Sequence, residues 1–278
     1  MKYLFLLLLL IGLHSTEFQD DPTRTQNFPK AEVRVKDLPK KEKVWVFILA
    51  GQSNMAGRGQ VEPQDTIPNS RIFTINKQNQ LILAKEPLHF YEPNLTGLDC
   101  GLSFGRTLLP QIPPDVSILL VPTAVGGSSI SQWLGDSTHR QVPLLTNFKE
   151  KVALAQKLGK IQGILWHQGE SDANPKDIPL YQSRLTSLFA QLRTITKNKN
   201  LPIVAGELGL FSQNPESWLK INQQLRNYAK IDKNYRIVST ADLSHKGDSI
   251  HFNSTGQRIL GQRFAQEYLK FKKINSAN

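Results

Sequence analysis

The chain has 278 residues, with 34 Lys and Arg against 23 Asp and Glu, which gives a formal charge of +11 at pH 7. The basic residues are spread along the chain without a nucleic-acid-binding motif, so we predict a solvated basic surface and no nucleic-acid partner. Attraction to an acidic polysaccharide or a cell surface stays open. Cys100 is the only cysteine, which excludes an internal disulfide, and we expect it to be a small buried hydrophobe.

The N-terminal residues have the pattern of an export signal. Lys2 precedes an unbroken apolar stretch over residues 4–13, which is too short to span a bilayer and is followed by small polar residues. We predict a signal peptide over residues 1–16 and a secreted or periplasmic product with no stable membrane insertion after cleavage. An uncleaved anchor is the alternative. Residues 17–43 lack apolar periodicity and are expected to form a poorly ordered leader, followed by one domain over residues 44–278.

Apolar, strand-like runs alternate with segments of helical spacing in the rest of the chain. The five runs cover residues 44–50, 116–121, 161–166, 201–205 and 236–240. The helical segments cover residues 142–158, 180–195 and 218–231 and a last stretch from about Thr255. This alternation predicts a three-layer α/β/α sandwich with a central, mainly parallel five-stranded sheet. Residues 71–75 and 80–84 are predicted to form a hairpin inserted after the first strand.

Polar and glycine residues follow the carboxyl ends of four of these runs. In a parallel sheet those ends share one edge, and ligands of such sheets bind there. The segments are Gly51-Gln52-Ser53-Asn54, Gly126-Gly127-Ser128, His167-Gln168-Gly169-Glu170 and Asp248-Ser249-Ile250-His251. We therefore expect a site at this edge of the sheet.

Ser53, Asp248 and His251 are the residue types of a serine hydrolase. In a turn, the spacing of Asp248 and His251 lets the carboxylate hold the imidazole, whose other nitrogen then serves Ser53 as a base. The alternative is a capped surface turn, and the strand-end serine favours catalysis. Met55 breaks the Gly-x-Ser-x-Gly elbow of α/β-hydrolases, and Glu62 breaks a dinucleotide-binding fingerprint. The remaining histidines lack ligand spacing, so no metal and no cofactor are expected.

Four blocks of the chain resemble those of SGNH hydrolases, and more closely those of the sialate O-acetylesterase and carbohydrate esterase family 6 (acetylxylan esterase) branch. The blocks are Gly51-Gln52-Ser53-Asn54-Met55, Gly126-Gly127-Ser128, Trp166-His167-Gln168-Gly169-Glu170-Ser171-Asp172 and Asp248-x-x-His251. The resemblance extends from residue 44 to about residue 269 and implies a flavodoxin-like sheet.

The same resemblance implies roles for individual residues. Ser53 is the expected nucleophile, His251 the general base and acid, and Asp248 its orienting carboxylate. Glu170 is the second possible acidic partner of His251, and its alternative role is an ion pair with Arg58 that shapes the loop. The implied oxyanion hole consists of the backbone N–H of Ser53, that of Gly126 or Gly127, and the side-chain amide of Gln168. The expected supporting residues are Gln52, Asn54 and Arg58.

The predicted function is that of a secreted serine esterase that removes O-acetyl groups from a polysaccharide or glycan through an acetyl-serine intermediate. The acetyl group and the carbohydrate follow from the resemblance alone. A glycan-binding protein without turnover and a lipid or aryl esterase of the same superfamily are the alternatives. The sugar stays open among xylan, sialic acid and pectin, and residues 128–140, with Trp133, and the hairpin near Lys77 are expected to recognise it.

Overall fold

The computed structural model describes residues 23–276, so the predicted signal peptide lies outside the described residues. The strands of this part are β1 (Val44–Gly51), β2 (Ile72–Ile75), β3 (Leu81–Leu83), β4 (Ser117–Pro122), β5 (Thr138–His139), β6 (Val142–Pro143), β7 (Lys160–His167), β8 (Ile203–Gly206) and β9 (Tyr235–Val238). Its α-helices are α1 (Ser53–Ala56), α2 (Gly101–Leu108), α3 (Ile130–Leu134), α4 (Leu144–Leu158), α5 (Tyr181–Ile195), α6 (Pro215–Ala229) and α7 (Ser254–Ser276).

The central sheet has the strand order β3-β2-β4-β1-β7-β8-β9. All neighbouring strands in it are parallel except β2 and β3, which form the predicted hairpin. The expectation of a mainly parallel α/β sheet is confirmed, but the count of five strands is wrong. Within the described part the sheet has seven strands, because β2 pairs with β4 and so adds the hairpin to the sheet edge. The five predicted strands lie in the order second, first, third, fourth, fifth, which is the flavodoxin-like order.

Strand β1 lies in the middle of the sheet and separates two hydrophobic layers. Successive side chains of a strand point to opposite faces. Val46 and Ile48 accordingly belong to the core beneath α4, α5 and α6, whereas Phe47 and Leu49 belong to the core beneath α2 and α7. Because both faces are covered, the strand is apolar throughout, and its carboxyl end is the part that can reach solvent.

The described part of the expected leader, residues 23–43, contacts the domain along its edge. The N–H of Val35 donates to the carbonyl of Leu81 at 3.2 Å, and the N–H of Leu83 donates to the carbonyl of Val33 at 2.8 Å. These hydrogen bonds cover the free edge of β3. None of the helices in residues 23–276 has the length and apolar character needed to cross a membrane.

Candidate active site

Ser53 lies at the start of α1, directly after β1. The turn between them depends on Gly51, which has φ 135° and lies so close to β7 that a Cβ atom would overlap the carbonyl oxygen of His167. Only glycine fits that approach. The tight turn therefore presents Ser53 at the carboxyl edge of the sheet, beside the end of β7.

Asp248 and His251 lie in the loop between β9 and α7 and meet Ser53 there. One carboxylate oxygen of Asp248 accepts the backbone N–H groups of Ile250 and His251, both at 2.9 Å, which shapes the turn. The other oxygen lies 2.7 Å from Nδ1 of His251, and Nε2 of His251 lies 3.0 Å from Oγ of Ser53. The three predicted residues thus form one hydrogen-bonded chain.

Burial and hydrogen bonding determine the protonation states of His251 and Asp248. It disfavours the imidazolium and lowers the pKa of His251, although the hydrogen bond and charge of Asp248 act in the opposite direction. For Asp248, burial alone would raise the pKa, but the hydrogen bonds from His251 and Ile250 hold it below the ordinary value. At neutral pH the carboxylate is therefore ionised and accepts the Nδ1 proton. Nε2 is then left as an acceptor for the Ser53 hydroxyl.

Glu170 lies near this chain without bonding to His251. Its Oε1 accepts from Nδ2 of Asn54 at 2.6 Å and lies 3.7 Å from Nδ1 of His167. Asn54 also donates to the carbonyl of Ile250 at 3.1 Å and accepts the N–H of Phe252 at 3.0 Å. Asn54 therefore connects the turn that carries Ser53 to the loop that carries His251. Glu170 contacts Asn54 rather than His251.

Arg58 pairs with Glu92, so the alternative role of Glu170, an ion pair with Arg58, is wrong. Nη2 of Arg58 lies 2.9 Å from Oε2 of Glu92, which also accepts the N–H of Gly126 at 2.6 Å. The other oxygen of Glu92 binds Arg140. Burial alone would raise the pKa of Glu92, but Arg58 and the other donors keep it below the ordinary value. Sequence reasoning missed Glu92 because its partners lie 34 and 48 residues away along the chain.

The Glu92 contact changes the predicted oxyanion hole. The N–H of Gly126 is already bonded, so it is not free to bind a reacting oxygen. Gly127 follows with φ 76° and lines the cleft at Ser53, and within residues 23–276 its N–H has no acceptor. Of the two glycines left open by the sequence, the geometry favours Gly127.

Gln168 is fully buried and does not line the cleft, contrary to the expectation of a direct oxyanion donor. Its Nε2 donates to Oδ2 of Asp172 at 2.5 Å and, at 3.2 Å each, to Oε1 of Gln52 and the carbonyl of Ser128. The hydroxyl of Tyr181 donates to its Oε1 at 3.1 Å. These hydrogen bonds direct the side-chain amide of Gln168 toward the protein interior, behind Gln52.

The cleft around Ser53 has a volume of about 590 Å³. Four cationic side chains line it, which are Arg24, Arg58, Arg140 and Lys246. Trp133, expected to recognise the sugar, is fully buried in the core instead. A second groove of about 820 Å³ lies between α4 and α5 and includes none of the predicted catalytic, oxyanion-hole or supporting residues. Across the part of the chain that the structure describes, no three His, Cys, Asp or Glu side chains are grouped so as to hold a metal ion.

Residues 43–270 match the family model described as "Carbohydrate esterase, sialic acid-specific acetylesterase". A protein of Arabidopsis thaliana described as a probable carbohydrate esterase is 29% identical over 247 residues, which cover 81% of this chain and 90% of that protein. Its crystal structure superposes with a TM-score of 0.72, at 28% identity over 81% of this chain and 98% of that chain.

Two further solved structures share the fold at lower identity. The structure of NanS has a TM-score of 0.70 at 20% identity and covers 85% of this chain and 99% of its own. A carbohydrate acetylesterase from Xanthomonas citri has a TM-score of 0.59 at 20% identity, over 80% of this chain and 54% of its own.

Proposed function

Because the chain belongs to the carbohydrate esterase, sialic acid-specific acetylesterase family and is thus a carboxylic ester hydrolase, we propose that it removes O-acetyl groups from carbohydrates through an acetylated Ser53. The observation that carries this proposal is the hydrogen-bonded chain from Ser53 through His251 to Asp248. A serine beside a neutral histidine that is oriented by a carboxylate is the arrangement that activates a hydroxyl as a nucleophile.

Acylation begins when Nε2 of His251 accepts the hydroxyl proton of Ser53. The Ser53 oxygen attacks the ester carbonyl carbon, and the carbonyl electron pair moves onto its oxygen. Ser53 and Gly127 line the cleft, and their backbone N–H groups donate to that oxyanion. When the intermediate collapses, the sugar oxygen leaves with the proton from His251, and the acetyl group stays on Ser53.

Deacylation repeats these steps with water as the nucleophile. His251 takes a proton from water while the water oxygen attacks the acetyl carbonyl. The intermediate then collapses, the Ser53 oxygen takes that proton from His251, and acetic acid leaves and ionises in solution. The lowered pKa of His251 keeps the imidazole neutral between the two half-reactions. Asp248 stays ionised throughout and holds the Nδ1 proton.

Glu170 and Asp248 line the cleft together with the four cations, and the two most exposed cations support an acidic sugar as the acetyl carrier. Arg140 is 43% exposed while paired to Glu92, and Lys246 is 41% exposed and lies 3.8 Å from Asp248. Both can meet a carboxylate on a bound sugar. This favours an O-acetylated sialic acid over neutral acetylxylan. Export remains part of the proposal on the strength of Lys2 and the apolar residues 4–13.

The test is acetate release from O-acetylated sialic acid, acetylxylan and acetylated pectin by the wild type and by Ser53→Ala. We expect Ser53→Ala to lower turnover on the order of 10⁴- to 10⁶-fold with the fold intact. Ser183→Ala is the matched control, because Ser183 lies on α5 and its hydroxyl bonds only within that region. Equal turnover by wild type and Ser53→Ala contradicts the proposal.

Two outcomes of this experiment identify the alternatives. Binding of an acetylated glycan without acetate release by the wild type would indicate a glycan-binding protein. Faster turnover of longer acyl esters than of acetyl esters would indicate a lipid or aryl esterase. A preference for acetylxylan over the sialic acid would overturn only the proposed acidic sugar.

A further inference from the structure

The reaction proposed above needs donors for the oxyanion, and two of the expected ones are engaged elsewhere. The N–H of Gly126 bonds to Glu92, and Nε2 of Gln168 has three acceptors inside the protein. The backbone N–H groups of Ser53 and Gly127 remain. Oxyanion holes gain much of their effect from several fixed donors, so a further donor is expected among the polar groups that line the cleft.

The orientation of the Gln52 amide follows from its contacts. Its Oε1 accepts the backbone N–H groups of Ser171 at 3.3 Å and Gly169 at 3.4 Å, together with Nε2 of Gln168 at 3.2 Å. A backbone N–H can only donate, so the atom it faces must be the oxygen of the amide. The nitrogen of Gln52 consequently points away from these groups.

The direction left for this nitrogen is the cleft. Gln52 is only 2% exposed, yet it lines the cleft together with Ser53 and Gly127. Its Nε2 has no hydrogen-bond acceptor within the described stretch 23–276. Because this nitrogen is not one of the buried polar atoms that lack a partner, it is open to the cleft. A ligand oxygen bound next to Ser53 would provide the acceptor.

We propose that Nε2 of Gln52 is a catalytic donor of the oxyanion hole, and that Gln168 is a positioning residue which holds Oε1 of Gln52. The inference rests on the proposed function of Ser53. Gln168 is itself fixed by Asp172 and Tyr181, so the Gln52 amide is held before substrate binds. A donor fixed in this way stabilises the developing oxyanion without reorganising during the reaction.

The test compares Gln52→Glu and Gln52→Met with the wild type and Ser53→Ala on one acetyl ester. Glutamate keeps an oxygen for the three N–H donors but lacks the amide hydrogens. If the role of Gln52 is purely structural, Gln52→Glu should therefore keep its activity. If Gln52 donates to the oxyanion, this variant should lose activity. We expect kcat to fall on the order of 100- to 1000-fold in both variants, with KM changed by less than about threefold. Thermal unfolding and a kcat profile against pH accompany each variant.

Each outcome decides for or against Gln52. Loss of kcat in both folded variants supports the proposal, and if Gln52→Glu does not fold, Gln52→Met decides alone. If either variant retains kcat within about threefold of the wild type, Gln52 is not an oxyanion donor. Loss in Gln52→Glu alone would then reflect the added charge. The proposed esterase function is tested separately. It requires that the wild type releases acetate and that Ser53→Ala does not.

Discussion

Two Asp–His pairs in this protein share a geometry but differ in their surroundings. The side chains of Asp248 and His251 are joined at 2.7 Å and those of Asp99 and His89 at 2.8 Å. The side chains of the first pair are 32% and 19% exposed, and Nε2 of His251 meets the Ser53 hydroxyl. Those of the second pair are 0% and 1% exposed. Nε2 of His89 is buried and has no partner in the described part of the chain.

The comparison shows that a carboxylate alone does not make a histidine a base. A general base also needs a proton to accept and a path to solvent at its second nitrogen. Around Asp99 the groups bind one another instead, since its Oδ1 accepts the N–H of Gly101 at 2.5 Å. Glu86 lies beside it, and burial together with the charge of Asp99 raises the pKa of Glu86 well above its ordinary value. We therefore expect the second pair to contribute to stability and the first to catalysis.

Of the two acidic candidates for the partner of His251, Asp248 is expected to give the larger effect when it is changed to Asn. The amide cannot hold the Nδ1 proton as the carboxylate does, so His251 loses its orientation and tautomer, and kcat falls on the order of 10⁴-fold. The measurement is steady-state acetate release with thermal unfolding in parallel. Asp242→Asn is the matched control, because Asp242 pairs with Arg263 on the surface and does not line the cleft.

The pH profile of the same variant gives a second readout. Protonation of His251 removes the base, so kcat/KM falls as the pH drops through the pKa of His251. Burial outweighs the effect of Asp248 and holds the pKa of His251 below its ordinary value in the wild type. The Asp248 carboxylate raises the pKa, so its removal should move the acid limb to still lower pH. An unchanged limb in Asp248→Asn would show that Asp248 does not act on His251.

A smaller effect is expected for Glu170→Gln, which tests the second acidic candidate. Glu170 contacts Asn54 rather than His251, and glutamine keeps an oxygen for that contact. Weakening one charge-assisted hydrogen bond corresponds to a loss of about tenfold in kcat at most. A loss as large as that of Asp248→Asn, measured on the same ester, would instead make Glu170 the partner of the histidine.

Patterns that repeat over short stretches allowed much of the fold to be predicted from the sequence. The apolar run that became β1 and the helical spacing of α4 and α5 are local, and the resemblance to sialate O-acetylesterases is confirmed by the match over residues 43–270. Helix α2 was missed because Gly101 and Gly105 lower helix propensity. Packing explains both glycines, since a Cβ atom at Gly101 would overlap Leu49 and one at Gly105 would crowd Ile72.

Long-range contacts account for what the sequence could not predict in the site. Ser53, Asp248 and His251 were found because strand ends and short spacing mark them. Glu92 carries no such mark, although it occupies the N–H of Gly126. The direction of the Gln168 amide depends on its contact with Asp172 in the folded chain, so residue type alone could not show that it faces away from the cleft.

The smallest effect on activity is expected for His89→Leu. The change removes the partner of a fully buried Asp99, so the free energy of unfolding should fall by about 2–4 kcal/mol, measured by urea denaturation. The kcat of the folded protein should stay within about twofold of the wild type, because neither residue reaches the cleft. His251→Leu makes the same change in the other pair and should give the reverse, with activity lost and stability nearly kept. If His89→Leu lowers kcat as much as His251→Leu while stability holds, the buried pair takes part in catalysis and the distinction drawn from their surroundings is wrong.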